Sequence, residues 1–244
     1  KFRKWAIQKS LDFIKPRLNG DNGLGAIFPA MANTAMAYDA LGYNPDHEDF
    51  VTALSACRKL VTENREVRGD KPRYIQPCVS PVWDTSAHAL LEAGVAPDDE
   101  RIIAMCDWLR DLQIQDVKGD WAINAPDLEP GGWAFQYRND HYPDVDDTAV
   151  VGMLLHRVDP DRYAESIRRA VVWIEGMQSK NGGWGAFDID NNADFLNTIP
   201  FADHGALLDP PTADVTARCL SFLAQVGYER DHFCIKRGMA YMRA

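Results

Sequence analysis

Apolar residues recur with helical spacing along the chain, and four segments continue as helices that are apolar nearly all round. Two of them read AMAYDAL and AVVGMLL. Helices with no polar face are expected to be buried. Asp, Asn and Thr are good N-caps, so each helix is expected to begin near such a residue. The predicted starts are Asn33-Thr34, Asp84-Thr85, Asp147-Thr148 and Asp214.

A second unit recurs between these helices: an amphipathic helix, then a glycine turn, then a tryptophan. One copy holds Gln178 and Trp184 at its turn, and another holds Gln113 and Trp121. A single copy would be an ordinary glycine C-cap with a buried indole. Recurrence instead indicates a repeated helical hairpin in which the amide and the indole tie neighbouring units together. Alternating inner and outer helices predict an all-α fold, a partial α/α toroid.

Composition excludes several classes of protein. The chain has 244 residues, 46% of them hydrophobic, and a net charge of −10 with scattered basic residues. This composition predicts a globular core and no nucleic-acid partner. Five cysteines without a CxxC pair predict neither a disulfide framework nor a zinc site, and favour a reducing cytosolic environment. The longest apolar runs are too short to span a bilayer, which leaves attachment to one leaflet open.

Three carboxyl groups, those of Asp144, Asp146 and Asp147, stand together in YPDVDDTAVV, just before an apolar helix. One Asp would suffice to cap that helix. Carboxylates only a few ångström apart cannot all ionise cheaply, so one of them is expected to keep its proton near neutral pH. The alternative is a capping cluster of solvated acids.

With these residues the chain resembles the bacterial squalene–hopene cyclases. Residues 144–147 match the family's DXDD acid motif and are followed by Thr-Ala. The two glutamine–tryptophan units match the family's repeats, although the Gln113 copy has one extra residue. SPVWDT and GGWAFQ are also similar to that family. The resemblance covers essentially the whole chain but only the middle of the family's length, so the chain is expected to be an internal piece. DXDD alone also occurs in class II diterpene cyclases.

The resemblance implies two α/α barrels. Residues 1–79 would form the C-terminal part of the inserted barrel, and residues 80–244 part of the catalytic barrel with the DXDD motif. It also implies a squalene substrate, a homodimer, and monotopic attachment to the cytoplasmic side of the cytoplasmic membrane.

No cofactor or metal is expected. The segment DIDNNADF looks like a calcium loop but fails the EF-hand pattern, because Ala193 replaces its glycine.

The resemblance also implies roles for the charged residues. Asp146 would donate the proton, with Asp144 and Asp147 supporting it. Asp214 and Arg218 are four residues apart and would share a helix face. The family often holds a histidine at the latter position. Arginine could stabilise ionised Asp146, yet it stays protonated and cannot relay a returning proton. A plain surface ion pair between residues 214 and 218 is the alternative.

Four aromatic residues would line the cavity of such a cyclase. Trp83, Phe135 and Phe187 match cavity aromatics of the family, and Phe201 matches a residue at the substrate entrance. Aromatic faces attract a carbocation without offering a lone pair that would trap it. The alternative for each residue is an ordinary place in the core.

The predicted function is therefore conversion of squalene to hopene or hopanol, by protonation of a terminal alkene and cation–olefin polycyclisation. A class II diterpene cyclase is an alternative, disfavoured by the glutamine–tryptophan units. A second alternative is a non-catalytic toroid that binds a lipid or protein. That alternative predicts acids that face solvent, whereas a cyclase predicts acids that line an apolar cavity with Trp83 and Phe135.

Overall fold

The computed structural model describes residues 2–63, 73–94, 96–199 and 207–244. These residues form nine α-helices and one antiparallel pair of short strands, so the predicted all-α class is confirmed. Within these ranges, no helix has both the length and the apolar character needed to cross a membrane. The elements are α1 (Phe2–Ile14), α2 (Phe28–Ala40), α3 (Glu48–Lys59), β1 (Val61–Glu63), β2 (Arg73–Ile75), α4 (Pro81–Ala93), α5 (Glu100–Asp111), α6 (Val145–Val158), α7 (Ala164–Gly176), α8 (Ala213–Gln225) and α9 (Phe233–Tyr241).

The chain divides into two compact units. The first comprises residues 1–81 and 136–139, and the second comprises residues 82–135 and 140–244. In the first unit α2 packs against α3 around the buried ring of Tyr38. In the second unit α6 packs against α5, α7 and α8, and α9 packs against α8. The acid motif belongs to the second unit.

Helix α6 is an inner helix and α7 an outer one, as their patterns predict. Val151 and Leu154 on α6 are fully buried. On α7, Trp173 and Ile174 are fully buried whereas the neighbouring Val172 is exposed. A helix that is buried nearly all round, with amphipathic helices against it, is the arrangement expected in an α/α toroid.

The predicted helix starts are wrong by one to five residues. Helix α2 begins at Phe28 and α4 at Pro81, so Asn33 and Asp84 lie inside helices rather than at their caps. Proline at the first positions favours these earlier starts, since its fixed φ suits a first turn. Helix α6 begins at Val145 and α8 at Ala213. The apolar pattern therefore predicts where the helices lie but not where they begin. A polar residue inside a helix cannot be distinguished from an N-cap by sequence alone.

Two of the threonines in these helices bind the tryptophan turns instead of capping. The Thr148 hydroxyl donates to the Asp144 carbonyl (2.6 Å) and accepts from the Trp133 backbone N–H (3.0 Å). Thr216 accepts from the Trp184 backbone N–H, also at 3.0 Å. Each inner helix is thereby joined to one glycine–tryptophan turn.

The Gln178 unit shows how one hairpin is tied to the next. The Trp184 indole N–H donates to the Ile174 carbonyl at the end of α7 (2.7 Å). The Gln178 amide donates to the Gly182 carbonyl (2.8 Å) and to the Cys234 carbonyl at the start of α9 (3.0 Å). The glutamine therefore links its own turn to the following outer helix.

The other copy has the same bonds, but its tryptophan is Trp133. The Trp133 indole N–H donates to the Leu109 carbonyl at the end of α5 (2.6 Å). The Gln113 amide donates to the Gly131 carbonyl (2.8 Å) and to the Ser166 carbonyl in α7 (2.9 Å). Trp133 is therefore the counterpart of the tryptophan in the Gln178 unit.

Trp121, the tryptophan predicted to pair with Gln113, lies outside these repeated bonds. The chain between Gln113 and Trp133 contains an extra segment with a 3₁₀ turn at residues 120–123, and Trp121 lies in that turn. Its indole packs edge-on against Trp173, with ring centroids 5.9 Å apart. Trp121 is thus a core residue of the inserted segment, whereas the repeated bonds belong to the later glycine–tryptophan turn.

We expect Gly152→Ala to destabilise the contact between α6 and α8. A Cβ at this position would lie 2.4 Å from the Phe222 ring. Overpacking of this kind lowers the free energy of unfolding by roughly 1–3 kcal/mol, although alanine's helix propensity offsets about 1 kcal/mol. Urea unfolding followed by circular dichroism measures the change.

The matched test is the double variant Gly152→Ala/Phe222→Leu. A smaller side chain at residue 222 relieves the clash, so Phe222→Leu should cost less in the Gly152→Ala background than alone. Equal costs in both backgrounds would show that the two residues do not meet.

Candidate active site

Asp144 is the N-cap of α6, called the acid helix below because the acid motif lies at its start. Its carboxylate accepts from the backbone N–H groups of Asp146 (2.8 Å) and Asp147 (3.4 Å), and its own N–H donates to the Trp133 carbonyl (2.7 Å). The residue is only 7% exposed. Burial raises the pKa of Asp144 to about 7, opposed by the Asp146 N–H and reinforced by the Asp146 charge. One acid therefore does cap the helix, but it is buried rather than solvated.

Asp147 is the most deeply buried of the three acids. It is 1% exposed, and its Oδ1 atom has no hydrogen-bond partner among the described residues. Burial raises the pKa of Asp147 to about 9, with the charges of Asp144 and Asp146 adding to the rise and Arg218 opposing it. A buried carboxylate with an oxygen that has no hydrogen-bond partner is far more costly than the neutral acid. Asp147 is therefore neutral at pH 7.

Asp146 is paired with Arg218 on α8. The Arg218 Nη1 atom donates to both carboxylate oxygens, at 2.6 and 2.5 Å, and the Asp146 side chain keeps 19% of its surface exposed. This hydrogen bond raises the pKa of Arg218 further. Charge-assisted bonds of this length are among the strongest in proteins. The guanidinium therefore stabilises the ionised form of Asp146.

Arg218 also contacts an aromatic ring. Its guanidinium carbon lies 5.3 Å from the centroid of Trp83, which is half-buried. This distance is within the range of a cation–π interaction. The cation thus lies between the carboxylate of Asp146 and one of the predicted cavity aromatics.

Asp214 is a secondary partner of Arg218. The two charged groups are 3.9 Å apart, and the Asp214 side chain is 68% exposed. A hydrogen bond from the Thr212 hydroxyl (2.6 Å) lowers the pKa of Asp214. Helix spacing correctly placed Asp214 beside Arg218, but the shorter contacts of the guanidinium are with Asp146. A plain surface ion pair therefore does not describe this arginine.

The aromatic candidates lie on loops that bind the start of α6. Phe135 is half-buried and follows Trp133, whose carbonyl accepts the Asp144 N–H. Phe187 is partly exposed and follows Ala186, whose carbonyl accepts the Val145 N–H at 2.7 Å. The structure thus joins both aromatic loops to the acid helix through backbone bonds. Phe201 lies outside the described residues.

Sequence reasoning missed Asp209. Its carboxylate accepts from three consecutive backbone N–H groups, those of Ala186 (3.0 Å), Phe187 (2.6 Å) and Asp188 (2.8 Å). Asp209 stands in LLDPPTA and belongs to no spaced motif. Because its partners are backbone groups, no side-chain pattern could have indicated the contact.

The burial of the acids bears on the alternative of a non-catalytic toroid. That alternative predicts three acids facing solvent, whereas two of them are almost fully buried and the third is held by Arg218. Burying carboxyl groups is costly and is commonly found at sites that move protons. The cluster thus has the properties of an acid site rather than of a solvated helix end.

Comparison with known proteins gives one family. The model of the squalene-hopene cyclase C-terminal domain matches residues 79–244, and that of the squalene-hopene cyclase N-terminal domain matches residues 1–66. The chain is 55% identical to a squalene-hopene cyclase of Schizosaccharomyces japonicus, over 98% of the chain and 37% of that protein. It is 56% identical to one of Zymomonas mobilis, over 92% of the chain and 35% of that protein. With one of Alicyclobacillus acidocaldarius the identity is 39%, over 99% of the chain and 38% of that protein. The chain thus spans little more than a third of the length of these relatives.

Asp147 should make the stability of the chain fall as the pH rises. Its pKa is raised from 3.8 to about 9 by folding. Between these values the folded state binds a proton that the unfolded state has lost. The contribution of Asp147 to the free energy of unfolding is therefore fully present below about pH 4 and is lost as the pH rises to about 9. One such proton changes the free energy of unfolding by about 1.4 kcal/mol per pH unit. Asp147→Asn, which mimics the neutral acid, should flatten that decline in urea unfolding measured across this range.

Asp214→Asn is the matched control for this titration. The pKa of Asp214 is lowered and its side chain is exposed, so this variant should keep the decline above pH 4. A wild-type curve that is flat or rising between pH 5 and about 9, unchanged by Asp147→Asn, would contradict the assignment of a neutral acid.

Proposed function

The chain belongs to the squalene–hopene cyclase family, and we propose that it carries the acid and part of the cavity with which the complete protein converts squalene to hopene or hopanol. The observation that carries this proposal is the set of three clustered acids with one guanidinium at the start of a buried helix. We assign residues 1–79 to the end of the inserted barrel and residues 80–244 to the catalytic barrel.

Asp146 is the proton donor in this proposal. An isolated alkene is a very weak base, so proton transfer to it is favourable only if the carboxylate left behind is stabilised. Arg218 supplies that stabilisation through its two bonds to Asp146. Asp147 favours the ionised form of Asp146 because it is itself neutral, whereas a second carboxylate there would repel the charge on Asp146. Asp144 holds the backbone of both residues.

The donor must be reloaded after each turnover. Arginine stays protonated at any physiological pH, so Arg218 cannot pass a proton to Asp146. The proton must therefore come from another donor, such as hydronium in solvent that reaches Asp146. Arg218 therefore acts as a fixed positive charge, and the return of the proton depends on the accessibility of Asp146.

The aromatic residues guide the cation after protonation. The ring faces of Trp83, Phe135 and Phe187 stabilise positive charge without trapping it. Loss of a proton from the final cation gives hopene, and capture of water gives hopanol. Squalene is delivered from a membrane, so we also propose monotopic attachment to the cytoplasmic side of the cytoplasmic membrane, and a homodimer.

The test of this function uses the complete protein in lipid or detergent, incubated with squalene. Mass spectrometry of the products should show a pentacyclic triterpene for wild type and at least about a hundredfold less for Asp146→Asn. Asp194→Asn, at an exposed position in the same unit, serves as the control. Wild type that leaves squalene untouched but cyclises another polyprenoid would contradict the substrate. No turnover of any isoprenoid would contradict the function.

Variants of Arg218 separate charge from proton relay. Arg218→Met removes the stabilising cation and should lower kcat by about 10²–10³-fold, the usual effect of losing one preorganised charge-stabilising donor. Arg218→His should retain activity only while the imidazole is protonated. Its rate should fall as the pH rises through about 6.5, the ordinary imidazole pKa, whereas the wild-type rate should show no such fall.

The pH profile decides between the two roles. If Arg218→His and wild type lose activity at the same pH, the fixed charge of the guanidinium does not matter and the assigned role is wrong. Circular dichroism of each variant establishes that it is folded.

A further inference from the structure

Asp209 makes an unusual set of contacts. Three consecutive backbone N–H groups, at residues 186, 187 and 188, donate to its two carboxylate oxygens within 3.0 Å. Hydrogen bonds to an ionised acceptor are roughly twice as strong as bonds between neutral groups. The carboxylate therefore fixes a turn of three residues from one point.

The chain around this turn is shaped to admit the carboxylate. A Cβ on Gly185 would lie 2.6 Å from the Asp209 carbonyl oxygen and 2.8 Å from its Oδ2 atom, so any larger residue would push the two segments apart. Bridges between Trp184 and Thr212 and between Asn191 and Asp209 hold the backbones together on either side. The clamped turn is defined as residues 185–188.

The clamped turn leads directly to the acid helix. Ala186 donates its N–H to Asp209, and its carbonyl accepts the N–H of Val145, the first residue of α6, at 2.7 Å. The next residue is Phe187, whose N–H has the shortest of the three bonds to the carboxylate. One side chain thus fixes both an aromatic of the proposed cavity and the start of the helix with the acids.

We propose that Asp209 is a positioning residue for cyclisation, whose carboxylate fixes the clamped turn and through it the Phe187 ring and the first residue of the acid helix. The catalytic part of this inference rests on the proposed function. Asp209 itself touches no reacting atom in this role, since it acts through Ala186 and Phe187.

The charge of Asp209 also affects the pKa values of neighbouring acids. Two carboxyl groups, those of Asp144 and Asp188, have raised pKa values, caused first by burial and in smaller part by the Asp209 charge. Asp209→Asn would therefore remove a charge and also replace one acceptor oxygen by an NH₂ group that faces a backbone donor. Asp209→Glu keeps the charge but moves the oxygens by one methylene. The pair of variants distinguishes charge from geometry.

Hydrogen–deuterium exchange tests the clamp without any activity. In the complete protein, Asp209→Asn and Asp209→Ala should speed exchange of the amides of residues 186–188 and of Val145 by about tenfold or more, the effect of losing charge-assisted bonds. Asp194→Ala, on an exposed residue nearby, is the control and should leave these amides unchanged. Unchanged exchange in both Asp209 variants would overturn the clamp.

The products of the complete protein test the positioning role. Asp209→Asn retains the acid, so it should still consume squalene, but its fraction of incompletely cyclised products should rise several-fold because the Phe187 face is displaced. Asp209→Glu should restore part of the wild-type ratio. A residue needed only for folding would lower the amount of active enzyme and leave the product ratio unchanged, and that result would overturn the proposal.

The two proposals fail separately. If wild type cyclises squalene but Asp209→Asn gives the wild-type product ratio, only the positioning role falls. If wild type cyclises no isoprenoid, the result contradicts the proposed function and also the catalytic role of Asp209. The exchange experiment still decides in that case whether the carboxylate fixes the turn.

Discussion

The second unit is organised around one electrostatic constraint: three carboxyl groups share the start of a buried helix with the guanidinium of Arg218. Arg218 can neutralise only one of them, and its bonds go to Asp146. Burial favours the neutral acid at Asp147, while Asp144 caps the helix. Each carboxyl group therefore has a different environment. The differences create a paired, partly accessible acid beside one that stays neutral.

The repeated hairpins hold this cluster in place through backbone bonds. The turn that ends in Trp133 binds Asp144 and Thr148, and the turn that follows Trp184 binds Val145. The same two turns lead to Phe135 and Phe187. The glutamine bonds that join each turn to the following outer helix fix these loops in turn. The repeat thus does more than stiffen the fold, because its turns fix the loops of Phe135 and Phe187 against the start of the helix with the acids.

Much of this could be predicted from sequence, and the failures have physical causes. Inner and outer helices were predictable because burial follows the apolar period, and the acid cluster stood out because a helix needs only one cap. Helix starts were misplaced because Thr148 bonds to a turn as readily as a cap does. Trp121 was predicted instead of Trp133 because it is nearer to Gln113 in sequence. The spacing does not show that an inserted segment separates Gln113 from the glycine turn before Trp133. Asp209 was missed because its partners are backbone N–H groups, which every sequence contains.

The central claim, that Asp147 keeps its proton at neutral pH beside the other two acids, can be measured directly. Carboxyl carbon NMR of the aspartates, assigned with Asp144→Asn, Asp146→Asn and Asp147→Asn, reports the ionisation of each group as the pH is raised. We expect Asp147 to be neutral at neutral pH and to lose its proton near pH 9. An Asp147 resonance that titrates below about pH 5, like an ordinary aspartate, would contradict it.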